Sequence, residues 1–270
     1  MTELGRRVDL GDPASALRAF MKARASLDGS DTFTWFAGTV HAWEPSGAHR
    51  VLFGFEGYNV ARAVEVDGGF DLLAREAVFY VDPATDEILE KWDNPFTGEP
   101  VEVVPVWNDP VNFPLRLGGP RPTVVTATAV GDEVCFNQDI FLAYPSPLPR
   151  AEFPDSSQDD LYKAAELFQF FSPADALHSD AVGSAPTRIT WTRLAPWLPW
   201  MGMADRPGML VYHGRGTKLT SGAGDLPSHI RAAVESAKPE FLAAPAELTQ
   251  PNETSWTYFK KLAALRERTT

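Results

Sequence analysis

The sequence predicts a mainly β protein with flanking helices, whose core is an antiparallel meander. Between residues 32 and 144, apolar residues recur at every second position, which is the period of a β-strand. Turn-forming stretches such as Asp67-Gly68-Gly69 separate these runs at short intervals. About seven or eight short strands joined by turns are typical of an antiparallel barrel or a strongly curved sheet.

The first predicted element is a helix over residues 12–28. Asp12 is a good N-cap, Pro13 suits the first helical position, and apolar residues follow at helical spacing. The strand over 32–43 is apolar on both faces, which indicates that both faces are buried. Further strands are predicted over residues 51–63, 70–81, 87–92, 100–107, 123–130 and 133–144.

The second half of the chain adds helices and two more strands. Strands over 188–194 and 209–214 extend the predicted barrel core, which comprises residues 32–144 and 188–214. Since no repeat, low-complexity tract or clean linker interrupts the chain, we expect a single domain over residues 1–270. Outer helices are predicted over 155–171, 228–237 and 252–268.

The segment from Pro196 to Pro207 combines prolines with tryptophans and methionines. Its prolines prevent a regular helix, and its apolar side chains are unsuited to an exposed loop. We therefore expect this segment, together with Trp191, to close one end of the barrel over a pocket. An irregular wall of the core is the alternative.

Composition excludes several classes of partner. The 270 residues carry a net charge of −12, which argues against nucleic acid and against anionic membrane surfaces. Cys135 is the single cysteine, so no intramolecular disulfide can form. Arg6-Arg7 is not followed by an apolar stretch, and no run reaches the roughly 18 apolar residues of a membrane span. We expect a cytoplasmic protein with no membrane partner, and the oligomeric state stays open.

Sequence motifs for cofactors and metals are lacking. The sequence has no His-Glu-x-x-His helix, no Gly-x-Ser-x-Gly elbow and no phosphate-binding loop. Its five histidines are dispersed along the chain. We therefore predict no metal and no cofactor, although a barrel could still bring three histidines together as a weaker alternative.

The predicted catalytic residues are His213, Arg206, Arg75, Tyr144 and Glu56. Histidine titrates near neutral pH, and His213 ends an apolar strand just before a turn, where a side chain reaches the mouth of a barrel. Arg206 and Arg75 would clamp an anion through their planar guanidinium groups. The alternative for each residue is a structural role, in which its polar group is hydrogen-bonded within the core or at the barrel rim. The predicted substrate-binding residues are aromatic, amide, imidazole and thioether side chains: Trp35, His41, Trp107, Asn108, Asn112, Trp191, Trp200 and Met203.

These residues suggest a cofactor-independent enzyme. Acid–base pairs in a dry pocket support a lyase, isomerase or cyclase acting on a bulky hydrophobic molecule of aromatic or terpenoid type. The alternative is a lipocalin-like carrier or sensor that binds such a molecule without chemistry. We favour the enzyme, which needs two titratable groups within reach of one bound atom.

Long motifs carry a resemblance to a known family. The runs WDNPFTGE and VWNDPVN near the middle of the chain, PWLPWMGMADRPGMLVYH further on, and PNETSWTYF near the end resemble the domain-of-unknown-function 1838 family. The resemblance spans most of the chain and implies no particular mechanism, so no catalytic residue follows from it. It also implies an amino-terminal export signal in many members, from which this sequence departs.

Overall fold

A computed structural model describes residues 9–179 and 181–268. In this part of the chain one ten-stranded antiparallel sheet dominates, in the order β6-β3-β2-β1-β12-β11-β10-β9-β8, with β7 also paired to β3. The strands are β1 Thr32–Trp43, β2 His49–Val66, β3 Gly69–Val81, β4 Lys91–Asp93, β5 Pro100–Glu102, β6 Val106–Asn108, β7 Phe113–Arg116, β8 Thr126–Val130, β9 Glu133–Pro145, β10 Leu161–Pro173, β11 Arg188–Ala195 and β12 Met209–Lys218.

Within the described residues, four α-helices flank the sheet. Asp12 caps the first helix by accepting a hydrogen bond from the backbone N–H of Ser15. The helices are α1 Pro13–Arg24, α2 Ala174–His178, α3 Ser228–Ala237 and α4 Ser255–Glu267, and short 3₁₀ turns span Pro199–Met201, Gly222–Asp225 and Pro239–Leu242.

The sheet curls strongly about one of its faces, which we call the inner face. The side chains of Tyr80 on β3 and Tyr212 on β12 interact with each other, although β2 and β1 lie between these strands. Phe20 of α1 contacts Phe136 of β9 and Phe170 of β10 at ring distances of 5.5 and 5.7 Å. The same apolar cluster contains residues of β2 and β3. Strands from both halves of the sheet therefore face each other around a shared interior.

Glycines on the inner face permit this curvature. Phe36 on β1 is flanked in register by Gly57 on β2 and Gly216 on β12, and Gly38 is paired with Gly214. A Cβ atom on Gly57 would lie 2.2 Å from the carbonyl oxygen of Ala77. Glycine in a strand often marks such a close approach or tight bend.

The hydrogen-bonded ladder is open within the described residues. It ends at β8 on one side and at β6 and β7 on the other, and these edges do not pair with each other. Helix α4 lies between the two halves, since it packs against β6 while Trp256 contacts Tyr162 of β10 at a ring distance of 4.8 Å. The predicted meander with flanking helices is confirmed, whereas closure into a lipocalin-like barrel is not.

Among the described residues, helices cover the outer face beside β1, β2 and β3. Helix α3 and the turn Pro239–Leu242 pack on β1, β2 and β3 through an apolar cluster that includes Phe33, Tyr58 and Phe241. Further along the sheet the outer face is exposed, as at His213 and Arg215 of β12.

The predicted helix over residues 155–171 is wrong, because this region forms strand β10. Its apolar residues fit a helical spacing as well as an alternating one, and pairing with both β9 and β11 decides in favour of the strand. The predicted strand over 100–107 is divided into β5 and β6.

We predict that Gly57→Ala lowers the free energy of unfolding by about 1–3 kcal/mol, the usual cost of overpacking. The added methyl group would meet backbone atoms of β3, which cannot move aside cheaply. Urea denaturation measures the change. Gly118→Ala is the matched control, because apart from its chain neighbours no atom lies within 4 Å of the position that its new methyl group would occupy. Equal stability of both variants would contradict a tightly curled sheet at Gly57.

Candidate functional site

The inner face carries a group of polar side chains that we call the interior cluster. Its members come from β3, β6, β10, β11 and β12, and they meet because the sheet curls. They are Glu76, Tyr80, Asn108, Tyr162, Glu166, Arg193 and Tyr212.

Strand register explains how the members align. Glu166, Arg193 and Tyr212 lie opposite one another on three neighbouring strands, β10, β11 and β12. Glu76 of β3 is paired in the same way with Asn108 of β6. Since paired residues point to the same face of a sheet, both sets project inward.

Glu76 is the residue most altered by this environment. Burial, and after it the charge of Glu166, raise the pKa of Glu76 from 4.5 to about 7. Arg193, a hydrogen bond from Asn108 and Arg24 of α1 act in the opposite direction. The Asn108 amide nitrogen donates to one carboxylate oxygen of Glu76 at 3.1 Å. A carboxyl with a pKa near 7 can both take up and release a proton at neutral pH.

Arg193 is held between the second carboxylate and two aromatic rings. Its Nη2 donates to the hydroxyl of Tyr162 at 2.8 Å, and its Nε lies 3.8 Å from Glu166 Oε1. The guanidinium group lies 5.6 Å from the ring centre of Tyr212 and 5.9 Å from that of Trp256. Burial alone would lower the pKa of Arg193, but Tyr162, Glu166 and Tyr212 raise it above its usual range. Arg193 is therefore a fixed positive charge.

The tyrosines supply protonated hydroxyl groups. Burial raises the pKa of Tyr212 to about 12 and that of Tyr80 well above its usual range. Beside them, burial raises the pKa of Tyr144 to about 12. The Tyr162 hydroxyl oxygen accepts its hydrogen bond from Arg193, which leaves its own proton available to another oxygen.

Several buried polar atoms of the interior have no hydrogen-bond partner in the part of the chain that the structure describes. They are Asn108 Oδ1, Trp191 Nε1 and Arg193 Nε. A buried donor or acceptor left unpaired costs about 1–3 kcal/mol, so each such group needs an explanation. A ligand that carries both an acceptor oxygen and a donor group, or ordered water, would supply the missing partners in the interior.

An aromatic wall faces the polar side chains. Trp191 stacks on Phe168 at a ring distance of 5.9 Å and contacts Phe55 edge-on at 5.5 Å. The rings of Phe36 and Tyr212 also lie beside Trp191, at ring distances of 6.3 and 5.6 Å. Several inner-face residues, including Trp191 and Phe168, are only half-buried, so the interior is not filled by side chains.

Some sequence-predicted residues lie in or beside the interior. Asn108 and Trp191 point inward, and Tyr144 lies against Tyr162 at a ring distance of 5.0 Å. Trp200 is buried against Tyr80 at 5.4 Å.

Other predicted residues lie on the outer face, because they occupy the alternate strand positions. His213 is exposed there, and the nearby His41 shares a 2.9 Å hydrogen bond with Thr39. Glu56 accepts a hydrogen bond from Trp35 and pairs with His229, at 2.7 and 2.8 Å. None of these interactions brings them to the interior cluster.

Arg75 and Trp107 also lie on the outer face, where they hold the turn Pro239–Leu242 in place. Arg75 donates to the carbonyls of Glu240 and Ala243, both at 2.9 Å, and its Nε lies 2.9 Å from Asp109. Trp107 packs edge-on against Phe241 at 5.0 Å.

Asn112 anchors the chain that leads to α4. Its side-chain oxygen accepts from the backbone of Ala74 at 2.9 Å, and its backbone N–H donates to Asn252 at 2.9 Å. These contacts give it a structural role at the edge of β3.

Residues 196–207 form a buried wall at one end of the sheet. Trp197 and Met201 are buried there. Arg206 pairs with Glu44 at 2.8 Å and lies 4.2 Å from the ring centre of Phe96. With Met203 it lines a cavity of about 380 Å³ between Phe96 and Pro207, which does not include the interior cluster.

Sequence reasoning missed Glu76, Glu166, Arg193, Tyr80, Tyr162 and Tyr212. The sequence does contain a signal for Arg193, because it lies two residues beyond Trp191 and so shares its face. On β3 the sequence prediction selects Arg75 in place of the adjacent Glu76. Both faces of β3 are apolar, so periodicity alone does not say which of the two charged residues points inward.

Two further features bear on function. Among residues 9–179 and 181–268, no group of three His, Cys, Asp or Glu side chains could hold a metal ion. In the same ranges no helix combines the length and the apolar character needed to cross a lipid bilayer.

Fold and site together define a protein with a curled antiparallel sheet around a cluster of polar and charged side chains. The chain belongs to the DUF1838 family of proteins of unknown function, whose family profile matches residues 29–263. No curated protein matches the chain.

We predict that Glu76→Gln changes the pH dependence of stability. The folded protein keeps a proton on Glu76 that the unfolded chain loses between pH 4.5 and about 7. Stability from this group is therefore complete below pH 4.5 and is lost as the pH rises through about 7. The Glu76→Gln variant lacks this carboxyl group and so lacks this loss. We therefore expect its free energy of unfolding, relative to that of the parent protein, to rise by up to about 3 kcal/mol from about pH 4 to about pH 8.

Denaturant unfolding at both pH values measures this gain. Glu90→Gln, which removes an exposed carboxyl group, is the matched control. The same pH dependence in both variants would show that Glu76 ionises as an ordinary surface carboxyl.

Proposed function

We propose that this protein is a cofactor-independent enzyme in which Glu76 moves a proton on a hydrophobic small molecule bound in the interior. The curled sheet, α1, α4 and residues 196–207 would together enclose a lipocalin-like pocket for this substrate. The observation that supports the proposal most strongly is the raised pKa of Glu76 beside a fixed arginine, a second carboxylate and unpaired polar atoms.

Glu76 would act as general base and then as general acid. Asn108 orients one of its oxygens, which leaves the other oxygen to reach the substrate. The deprotonated carboxylate takes a proton from the carbon next to a carbonyl group, and the protonated form returns it at a second position or expels a leaving group. These steps correspond to an isomerase, a lyase or a cyclase.

Arg193 and the tyrosines would stabilise the oxygen on which negative charge develops. The Arg193 Nε is a buried donor without a hydrogen-bond partner, and the free proton of Tyr162 lies at the same guanidinium group. Donors fixed in a water-poor site stabilise an enolate oxygen more than the neutral carbonyl, which lowers the barrier.

The second candidate function is a carrier or sensor that binds the same class of molecule. The aromatic wall of Phe36, Phe55, Phe168 and Trp191 favours it, since stacking and apolar contact are enough for binding. A carrier does not need a carboxyl group poised near pH 7 at the centre of its pocket, and this residue favours the enzyme.

Hydrogen–deuterium exchange separates these functions without knowledge of the natural substrate. The probe is 2-tetralone, an apolar aromatic ketone with acidic protons, whose exchange in D2O is followed by proton NMR. We expect the protein to accelerate exchange and Glu76→Gln to reduce this acceleration about 10²–10⁴-fold, the usual contribution of general acid–base catalysis. The rate should rise with pH through about 7, as Glu76 loses its proton.

Glu90→Gln is again the control and should exchange the probe at the parental rate. Binding of 2-tetralone is measured separately by quenching of tryptophan fluorescence. Binding without accelerated exchange would favour the carrier. Equal exchange in the parent protein and Glu76→Gln would remove Glu76 from the mechanism.

A further inference from the structure

Arg24, the last residue of α1, places a second cation at the interior. Its guanidinium group lies 4.9 Å from the ring centre of Phe170, on the inner face of β10. Arg24 and Glu76 influence each other electrostatically, which places Arg24 on the interior side of the helix. In the described part of the chain, Arg24 makes no hydrogen bond and no ion pair.

The end of α1 does not need Arg24 as a cap. The carbonyls of Lys22 and Ala25 accept hydrogen bonds from Lys218 Nζ at 2.6 and 3.0 Å. The carbonyl of Ala23 accepts from Thr187 at 2.9 Å. Since other donors satisfy these groups, the guanidinium of Arg24 is left facing the aromatic interior.

The charges of the interior leave Arg24 without a full counter-charge. Glu166 pairs with Arg193, and Glu76 is neutral for part of the time near pH 7. Burial lowers the pKa of Arg24 to about 10, and Glu76 offsets only part of this effect. Arg24 is half-buried, and a partly desolvated cation of this kind is stabilised by an anion that enters with the ligand.

A run of aromatic rings connects Arg24 with the interior cluster. Phe170 stacks on Phe168 at 5.8 Å, Phe168 stacks on Trp191 at 5.9 Å, and Trp191 contacts Tyr212 at 5.6 Å. Tyr212 then lies against Arg193. The run is an apolar floor with an arginine at each end.

We propose that Arg24 is an anion anchor and that the ligand is an elongated, largely apolar molecule with a carboxylate at one end. The carboxylate pairs with Arg24, the apolar body lies along the aromatic floor, and the reacting carbonyl reaches Glu76 and Arg193. This inference names the substrate class of the site described above and so rests on the proposed function. The preference of the protein for an anionic ligand is measured by binding, without any catalytic assay.

Two probes of matched shape test the anchor by isothermal titration calorimetry at about pH 7.5, where a carboxylate is ionised. They are 2-naphthoate, which is anionic, and 2-naphthamide, which is neutral. We expect the parent protein to bind 2-naphthoate about tenfold more tightly, as a charge-assisted pair provides. Arg24→Met should lose this preference and retain 2-naphthamide binding, whereas Arg24→Lys should keep part of it.

Arg215→Met is the control for the loss of one positive charge, because Arg215 is exposed on the outer face. It should keep the parental preference. An unchanged preference in Arg24→Met, or no preference in the parent protein, would overturn the proposal. A lowered melting temperature of Arg24→Met with an unaltered probe ratio would also overturn it and assign Arg24 a structural role.

Glu76→Gln separates this inference from the proposed function. It should still prefer 2-naphthoate, because Arg24 is intact, although it no longer exchanges protons of 2-tetralone. If the exchange test fails while the anion preference is retained, the proposed proton transfer is rejected and the anion anchor is not. Loss of the preference in Glu76→Gln would show that Arg24 is not the anchor.

Discussion

The interior of this protein depends on one arginine that lies between carboxylates. Arg193 compensates Glu166 at 3.8 Å and lowers the cost of a charge on Glu76, which burial would otherwise keep neutral. Buried carboxylates without such a partner are strongly destabilising. Because Arg193 is shared between two carboxylates and the charge of Arg24 offsets burial only in part, the charge of Glu76 is only partly compensated. The result is a carboxyl group balanced between its two protonation states near neutral pH.

This balance is a consequence of how the sheet curls. Glu76 lies on β3 and Arg193 on β11, which are separated by three strands in the ladder. A flat sheet would keep them far apart, since neighbouring strands lie about 4.8 Å from each other. Glycines at positions 38, 57, 214 and 216 let the backbones approach closely on the inner face, and they leave room for the rings of Phe36, Phe55 and Trp191. The same residues therefore shape the fold and the aromatic wall.

Local pattern predicts much of the fold. The strand predicted over 32–43 is found as Thr32–Trp43, and the next two strands differ from the prediction by a few residues at their ends. Strand β10 escapes the prediction because Leu161, Ala164 and Phe168 fall at helical spacing, although Tyr162, Ala164, Phe168 and Phe170 also fit an alternating period. The site is harder to predict. The alternation of faces along a strand is consistent with the inward positions of Asn108 and Trp191. Strands that are apolar on both faces, however, do not show which side is inward. Contacts between β3 and β11 arise from curvature that a single sequence does not display.

The central claim is that Glu76 ionises near neutral pH inside the curled sheet. Carbon-13 NMR of protein labelled at the glutamate side-chain carboxyl carbon measures this directly, with Glu76→Gln identifying the resonance. A signal that titrates at about pH 7 and is missing from the variant is the predicted result. A Glu76 signal that titrates near the ordinary value of 4.5 would contradict the account, because the carboxyl group would then be hydrated and would lack the tuning that acid–base work requires.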